Sequence, residues 1–136
     1  MQYGYFDNEK REYVIDNVAL PYSWTNYLGV EDMAAVINHT AGGYLFYKTP
    51  EYHRISRFRG NGVPMDRPGF YVYIRDNEKK DYHSISCQPV AKDLSKAKYR
   101  CRHGLSYTVY ESEYDGLASS QTMVIPRGEN VLLWDV

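Results

Sequence analysis

Cysteine is scarce in this sequence: Cys87 and Cys101 are the only two in 136 residues. Two thiols cannot make a disulfide framework, and the start Met1-Gln2-Tyr3-Gly4-Tyr5-Phe6-Asp7 lacks the basic residues and apolar core of a secretory leader. The expectation is a cytoplasmic chain whose cysteines are free and pack as small apolar groups. Without secretion the Asn38-His39-Thr40 triplet, a glycosylation pattern, carries no meaning. No apolar run approaches the roughly 20 residues that cross a bilayer as a helix, so a soluble chain is expected. Charge of one sign is missing too: 16 Lys and Arg stand against 17 Asp and Glu. A nucleic-acid binder concentrates cations on one face, and this balance argues against a phosphate-backbone partner. His39, His53, His83 and His103 are too scattered for a ligand spacing, so neither a metal nor a cofactor is predicted.

What the chain does have is tyrosine, fifteen of them. Tyr71, Tyr73 and Tyr107 stand in alternating positions, and strand propensity with half-burial explains most of them. A tyrosine ring also stacks on the apolar face of a pyranose while hydroxyls reach its OH. The length suits one hydrophobic core. At the centre, Gly42-Gly43 turns the chain into the strand Tyr44-Leu45-Phe46-Tyr47, Lys48-Thr49-Pro50 breaks it, and residues 52–58 resume it. Gly60-Asn61-Gly62-Val63-Pro64 turns again before a third strand over residues 70–75, which makes an antiparallel meander. One face of that meander must be covered by the rest of the chain.

Residues 3–6 and 12–15 flank the charged turn Asp7-Asn8-Glu9-Lys10 and read as a hairpin at a sheet edge. Residues 22–29 read as a loop with Trp24 as its anchor, and residues 31–38, with the apolar run Met33-Ala34-Ala35-Val36-Ile37, as one helical turn or, in the favoured reading, a strand leading into the glycine pair. Residues 76–81 form a solvated connection to a short strand over 82–86, and residues 93–98 form a turn of helix. Residues 99–113 alternate well, and Asp115-Gly116 followed by residues 117–125 makes a hairpin. Residues 131–136 begin another strand, whose apolar end suggests that a further strand follows. The fold class is all-β, an antiparallel β-sandwich with little helix.

Candidate chemistry has a plain alternative at each place. Arg54, Arg57, Arg59 and Arg67 around the meander could hold phosphate or carboxylate, or face solvent and pair with Asp66 or Asp76. Ser84, Ser86 and Cys87 lie near His83, but no glycine elbow frames them and strand neighbours point to opposite faces. Glu111 and Glu113 share a strand face, as paired carboxylates of glycoside chemistry would, yet across a hairpin from Ser119 and Gln121 nothing apolar raises the pKa of either. The residues alone describe a tyrosine-rich sandwich without a catalytic set.

Several motifs nevertheless resemble a known family. Tyr3-Gly4-Tyr5-Phe6-Asp7 with Arg11-Glu12-Tyr13-Val14-Ile15, then Trp24-Thr25-Asn26-Tyr27-Leu28-Gly29 and Thr40-Ala41-Gly42-Gly43-Tyr44 with Phe46-Tyr47, look like the amino-terminal region of the inverting disaccharide phosphorylases. These are the cellobiose and chitobiose phosphorylases of glycoside hydrolase family ninety-four. The likeness continues through Val63-Pro64-Met65-Asp66-Arg67-Pro68-Gly69, Tyr71-Val72-Tyr73-Ile74-Arg75-Asp76, Gln88-Pro89-Val90 and Cys101-Arg102-His103-Gly104-Leu105-Ser106-Tyr107. Phe70-Tyr71-Val72-Tyr73 and Ser84-Ile85-Ser86 look closer to the chitobiose type. His83 and Cys87 depart from the pattern, which usually has tryptophans there, and smaller side chains leave packing space.

The resemblance implies an enzyme that cleaves a β-linked disaccharide with inorganic phosphate as co-substrate and inverts the anomeric centre. In that family an aspartic acid on a downstream helical toroid protonates the leaving oxygen while phosphate attacks from the opposite side. Residues 1–136 would then be the front part of the large supersandwich domain, which packs on the toroid and helps build a homodimer; no catalytic residue is carried over and the chain alone is expected to be inactive. Tyr44, Arg57 and Arg59 are the expected contacts with such a partner. The alternatives are a free-standing carbohydrate-binding module and a remnant of a broken gene.

Overall fold

The computed structural model describes residues 2–57 and 68–136. These residues form strands β1 (Gly4–Asp7), β2 (Glu12–Ile15), β3 (Thr25–Leu28), β4 (Met33–Asn38), β5 (Gly43–Tyr47), β6 (Tyr73–Asp76), β7 (Asp81–Ser84), β8 (Ala97–His103), β9 (Tyr107–Tyr114), β10 (Leu117–Val124) and β11 (Leu133–Asp135), with no helix among them. A six-stranded sheet runs β1-β2-β8-β9-β10-β11, a three-stranded sheet β3-β4-β5, and β6 and β7 pair as a two-stranded ribbon. Every pairing is antiparallel. The expected all-β sandwich is the observed architecture.

Two-residue periodicity builds the core. Along β4, Met33, Ala35 and Ile37 are buried while Ala34, Val36 and Asn38 are half-exposed. Register sets Leu28, Ala35 and Leu45 side by side on the inner face, where they meet Ile15, Cys101, Tyr110 and Met123 of the large sheet. Burying each such aliphatic side chain contributes about 1.5–3 kcal/mol. Polar side chains pin the layers as well: the Tyr110 hydroxyl donates to the Asn38 carbonyl at 2.7 Å, Gln121 Nε2 to the Phe70 carbonyl at 3.1 Å, and Asn26 Nδ2 to the Gly104 and Tyr107 carbonyls at 2.9 and 3.0 Å. Each satisfies a group that burial would otherwise leave unpaired.

The edge hairpin β1–β2 forms as its charged turn predicts, with Asp7 Oδ1 accepting from the Glu9 and Lys10 amides. The hairpin β9–β10 turns through Asp115 and Gly116 at φ 53° and 81°, the left-handed pair that a two-residue turn requires. Residues 99–113 are not one strand: Gly104 N bonds the Tyr107 carbonyl, and the chain reverses between β8 and β9. Residues 93–96 make a turn and no helix before β8 begins.

The central meander does not form as expected. Residues 53–56 run beside β5, joined by Tyr47 N to the His53 carbonyl and Ile55 N to the Leu45 carbonyl, but form only an isolated bridge between Phe46 and Arg54. Pro50 and the turn that follows it set the chain down too late to make a full ladder. The expected turn over residues 60–64 lies outside the described residues. β6 pairs forward with β7, because the Asp76 carboxylate accepts from the Glu78 and Lys79 amides and closes the charged run as a hairpin turn. That ribbon is clasped to the tip of β9–β10 by Lys79 on Asp115 and by Tyr114, whose hydroxyl donates to Asp81 at 2.7 Å. Residues 25–28, expected in a loop, are strand β3, and Leu28 rather than the partly exposed Trp24 is its buried anchor.

Candidate functional site

The outer face of the three-stranded sheet carries the row Tyr27, Val36 and Tyr44, with Phe46 next along β5, its ring centroid 5.9 Å from that of Tyr44. At the head of β5 the chain is joined by a second pass: Gly42 bridges Gly69, Phe70 N donates to the Ala41 carbonyl at 2.8 Å and Gly43 N to the Pro68 carbonyl at 3.1 Å. A Cβ on Gly69 would fall 2.5 Å from the Tyr71 ring, so the missing side chain is what lets that ring fold back here. A groove of about 520 Å³ results, lined by Tyr44, Tyr71, Val36 and Pro68, floored by Gly42 and Gly43, and rimmed by Thr25, Asn38, Thr40 and Gln88. Asn38 shapes the rim: its Oδ1 accepts from Thr40 N at 3.0 Å, Thr40 Oγ1 at 3.1 Å and Gly42 N at 2.8 Å. Among the described residues the lining contains no Asp, Glu, Lys, Arg or His. Sequence reasoning saw the glycine pair and Tyr44 but missed Thr25, Asn38, Thr40 and Gln88, which come together only through pairing of distant segments.

Of the expected contact residues, Tyr44 lines this groove, and Arg57 follows Ser56, whose Oγ accepts from the Leu45 amide at 2.8 Å on the same strand. Arg59 lies outside the described residues, as do Arg67 and Asp66. Arg54 Nε donates to the Pro50 carbonyl at 2.9 Å.

The outer face of the six-stranded sheet is charged and internally matched. Lys98 bonds Glu113 at 2.8 Å and lowers its pKa, and Arg102 bonds Glu111 at 2.9 Å and Glu12 at 3.4 Å. Glu12 is buried, its side chain 3% exposed, and accepts from the Tyr107 hydroxyl at 2.6 Å. That bond raises the Tyr107 pKa. Glu111 and Glu113 share this face as expected, but the register sets them opposite Ser120 and Ala118, one residue off the expected Ser119 and Gln121, which belong to the inner face. Each carboxylate is committed to a cation.

Ser84 Oγ donates to the Cys87 carbonyl at 2.6 Å and Ser86 Oγ to the Gln88 carbonyl at 3.0 Å, so these hydroxyls bond the backbone of their own turn. Burial pushes the Cys87 thiol up to about 11 and raises that of Cys101 well above its ordinary value, and both cysteines are free. His83 is buried with Nε2 unpartnered, and desolvation lowers its pKa. A cleft of about 290 Å³ opens beside it, lined by Ile74, Tyr82, Tyr114 and Leu117 together with the charged Arg75, Asp76, Asp81 and Asp115. His39 and His103 meet around Trp24: His39 Nδ1 accepts from the Trp24 amide at 3.3 Å, and His103 Nε2 lies 3.3 Å from the Trp24 carbonyl. Burial lowers both pKa values, that of His103 to about 4. Among the described residues no three His, Cys, Asp or Glu side chains converge on a metal-sized space, and no helix is long and apolar enough to cross a membrane.

A family model described as glycosyl hydrolase 94, supersandwich domain, matches residues 11–136. The chain is 54% identical over 136 residues to an N,N'-diacetylchitobiose phosphorylase of Vibrio proteolyticus and 52% identical to one of Vibrio furnissii, covering 100% of this chain and 17% of each relative. A solabiose phosphorylase of Paenibacillus borealis is 30% identical over 142 residues, covering 98% of this chain and 17% of its own length. The chain thus spans about a sixth of the curated relatives it matches.

Proposed function

The chain belongs to the glycosyl hydrolase 94 supersandwich domain family, and from that premise we propose that it serves as the amino-terminal β-sandwich of a glycoside phosphorylase that cleaves a β-linked disaccharide with inorganic phosphate. The observation that carries this reading is the likeness to disaccharide phosphorylases along 100% of the chain at 54% identity. The chain's own contribution is structural. The carboxylates Glu111 and Glu113 on the large sheet are held by cations, Ser84 and Ser86 bond backbone, and both cysteines sit buried. The proton donor and the phosphate ligands belong to polypeptide outside residues 1–136, which we place on a helical toroid against which this sandwich packs in a homodimer. Docking uses the edge of β5 along which residues 53–56 run, with Tyr44 at its border and Arg57 and Arg59 following in sequence. Two unpaired thiols support a cytoplasmic setting.

The test is a chimera in which this chain replaces the matching 17% of the Vibrio proteolyticus enzyme. The chimera is expected to release a sugar 1-phosphate from N,N'-diacetylchitobiose and phosphate, and the 136-residue chain alone to release none. A folded but silent chimera counts against the reading, and activity of the chain alone refutes its division of labour. Within the chimera, Arg57→Glu is expected to weaken subunit or domain association on gel filtration; an unchanged profile removes Arg57 from the contact.

A further inference from the structure

We propose that the cleft between the β6–β7 ribbon and the tip of the β9–β10 hairpin binds a small planar aromatic molecule of indole size, whose N–H is received by His83 Nε2. Two cross-strand pairs line it, Ile74 with His83 on the ribbon and Tyr114 with Leu117 on the hairpin. His83 is 3% exposed, and its Nε2 has no hydrogen-bond partner among the described residues. A buried polar atom without a partner carries a desolvation cost that a bound donor would recover. Burial and the Lys92 ammonium lower the His83 pKa, so the ring is neutral near pH 7 and keeps one accepting nitrogen. The rest of the lining narrows the class of ligand. Asp76 accepts two amides of its own turn, Asp81 takes the Lys92 ammonium and the Tyr114 hydroxyl, and Asp115 takes Lys79. What these groups have left to offer is lone pairs, and Arg75 is the one cation among the described lining residues. The surplus hydrogen-bond capacity therefore suits a donor and disfavours an anion. Ile74, Leu117 and the Tyr114 ring, its centroid 5.2 Å from that of the imidazole, supply apolar walls for an aromatic plane. An apolar cavity of roughly 150 Å³ holds benzene, so about 290 Å³ has room for two fused rings. The walls are also set in advance, because Lys79 on Asp115 and Tyr114 on Asp81 clasp ribbon and hairpin together, and a preformed cleft loses little entropy when occupied. This goes beyond the preceding reading, which asks for no ligand on this chain, and either can fail without the other.

Titration of the 136-residue chain with indole and with benzofuran, which has the same shape and no N–H, tests it, followed by the histidine ring-proton signals in NMR. Indole is expected to shift the His83 signals saturably while those of His53 stay in place, and to bind about fivefold tighter than benzofuran. His83→Phe, which keeps a ring and removes the acceptor, is expected to erase that preference. Leu117→Ser takes away one apolar wall and is expected to weaken both ligands about threefold. A melting curve shows that each variant is folded. Absence of a saturable shift at His83 with indole overturns the proposal. So does equal binding of the two ligands to the parent chain, a preference that survives in His83→Phe, or an affinity unchanged in Leu117→Ser.

Discussion

The two outer faces of this sandwich answer the same problem in opposite ways. On the six-stranded sheet the exposed row is written in charge: Lys98 with Glu113, Arg100 near Glu111, and Arg102 between Glu111 and the buried Glu12. On the three-stranded sheet the equivalent row is Tyr27, Val36 and Tyr44, with a glycine-floored groove beside it and no charged side chain among the described residues of its lining. A charge network of this kind is satisfied by its own members and by water. The second face is held instead by ring packing, with the Tyr44 and Phe46 centroids 5.9 Å apart, and by the turn that the Asn38 side chain closes.

The sharpest way to break this contrast is at Glu12. Removing its carboxylate leaves the Tyr107 hydroxyl and one side of Arg102 without a partner in a buried place, so Glu12→Ala is expected to cost about 3 kcal/mol in urea unfolding. Acid should come next. His39 and His103 are neutral in the fold because burial lowers their pKa, while the unfolded chain takes up protons below about 6.5. Their contribution is thus present above pH 6.5 and lost as the pH falls toward about 4. Denaturation midpoints measured across that window should drop, and His103→Gln should flatten the slope. At the cleft beside His83 the expected change is a gain: His83→Trp fills part of that space against Ile74 and Leu117 and removes an unpartnered nitrogen, adding about 1 kcal/mol. The smallest effects mark the faces themselves. Lys98→Ala and Tyr44→Ala should each move stability by less than about 0.5 kcal/mol. A Tyr44 variant that unfolds the chain would make that ring part of the fold rather than of a surface.

Legibility followed the range of the forces involved. Hairpins closed by local chemistry were readable: Asp7 and its acceptor carboxylate, and the Asp115-Gly116 pair with its left-handed angles, identify their turns within a few residues. The central meander was misread because its aromatic strands look alike, and the choice between pairing back to β5 and forward to β7 was made by the Asp76 side chain capping the next turn. Trp24 drew attention by size, yet it lies one residue before β3, and while Leu28 is fully buried the indole stays at the rim against Tyr13. The groove was hidden for a different reason. Thr25, Asn38, Tyr71 and Gln88 are spread over more than sixty positions: the first two meet across the β3–β4 ladder and the others come from segments outside any strand, which no spacing rule records. The predicted kinship, by contrast, rested on ordered motifs, and it holds from residue 11 to residue 136.

Asn38 belongs to both halves of this description. Its carbonyl takes the hydroxyl of Tyr110 from the middle of the large sheet, and its side chain draws together the turn that bounds the groove. The heart of the protein and its open rim are thereby tethered through a single residue. Any shift of one layer against the other, whatever presses on it from outside, would be passed along that tether and would widen or narrow the mouth on the far side.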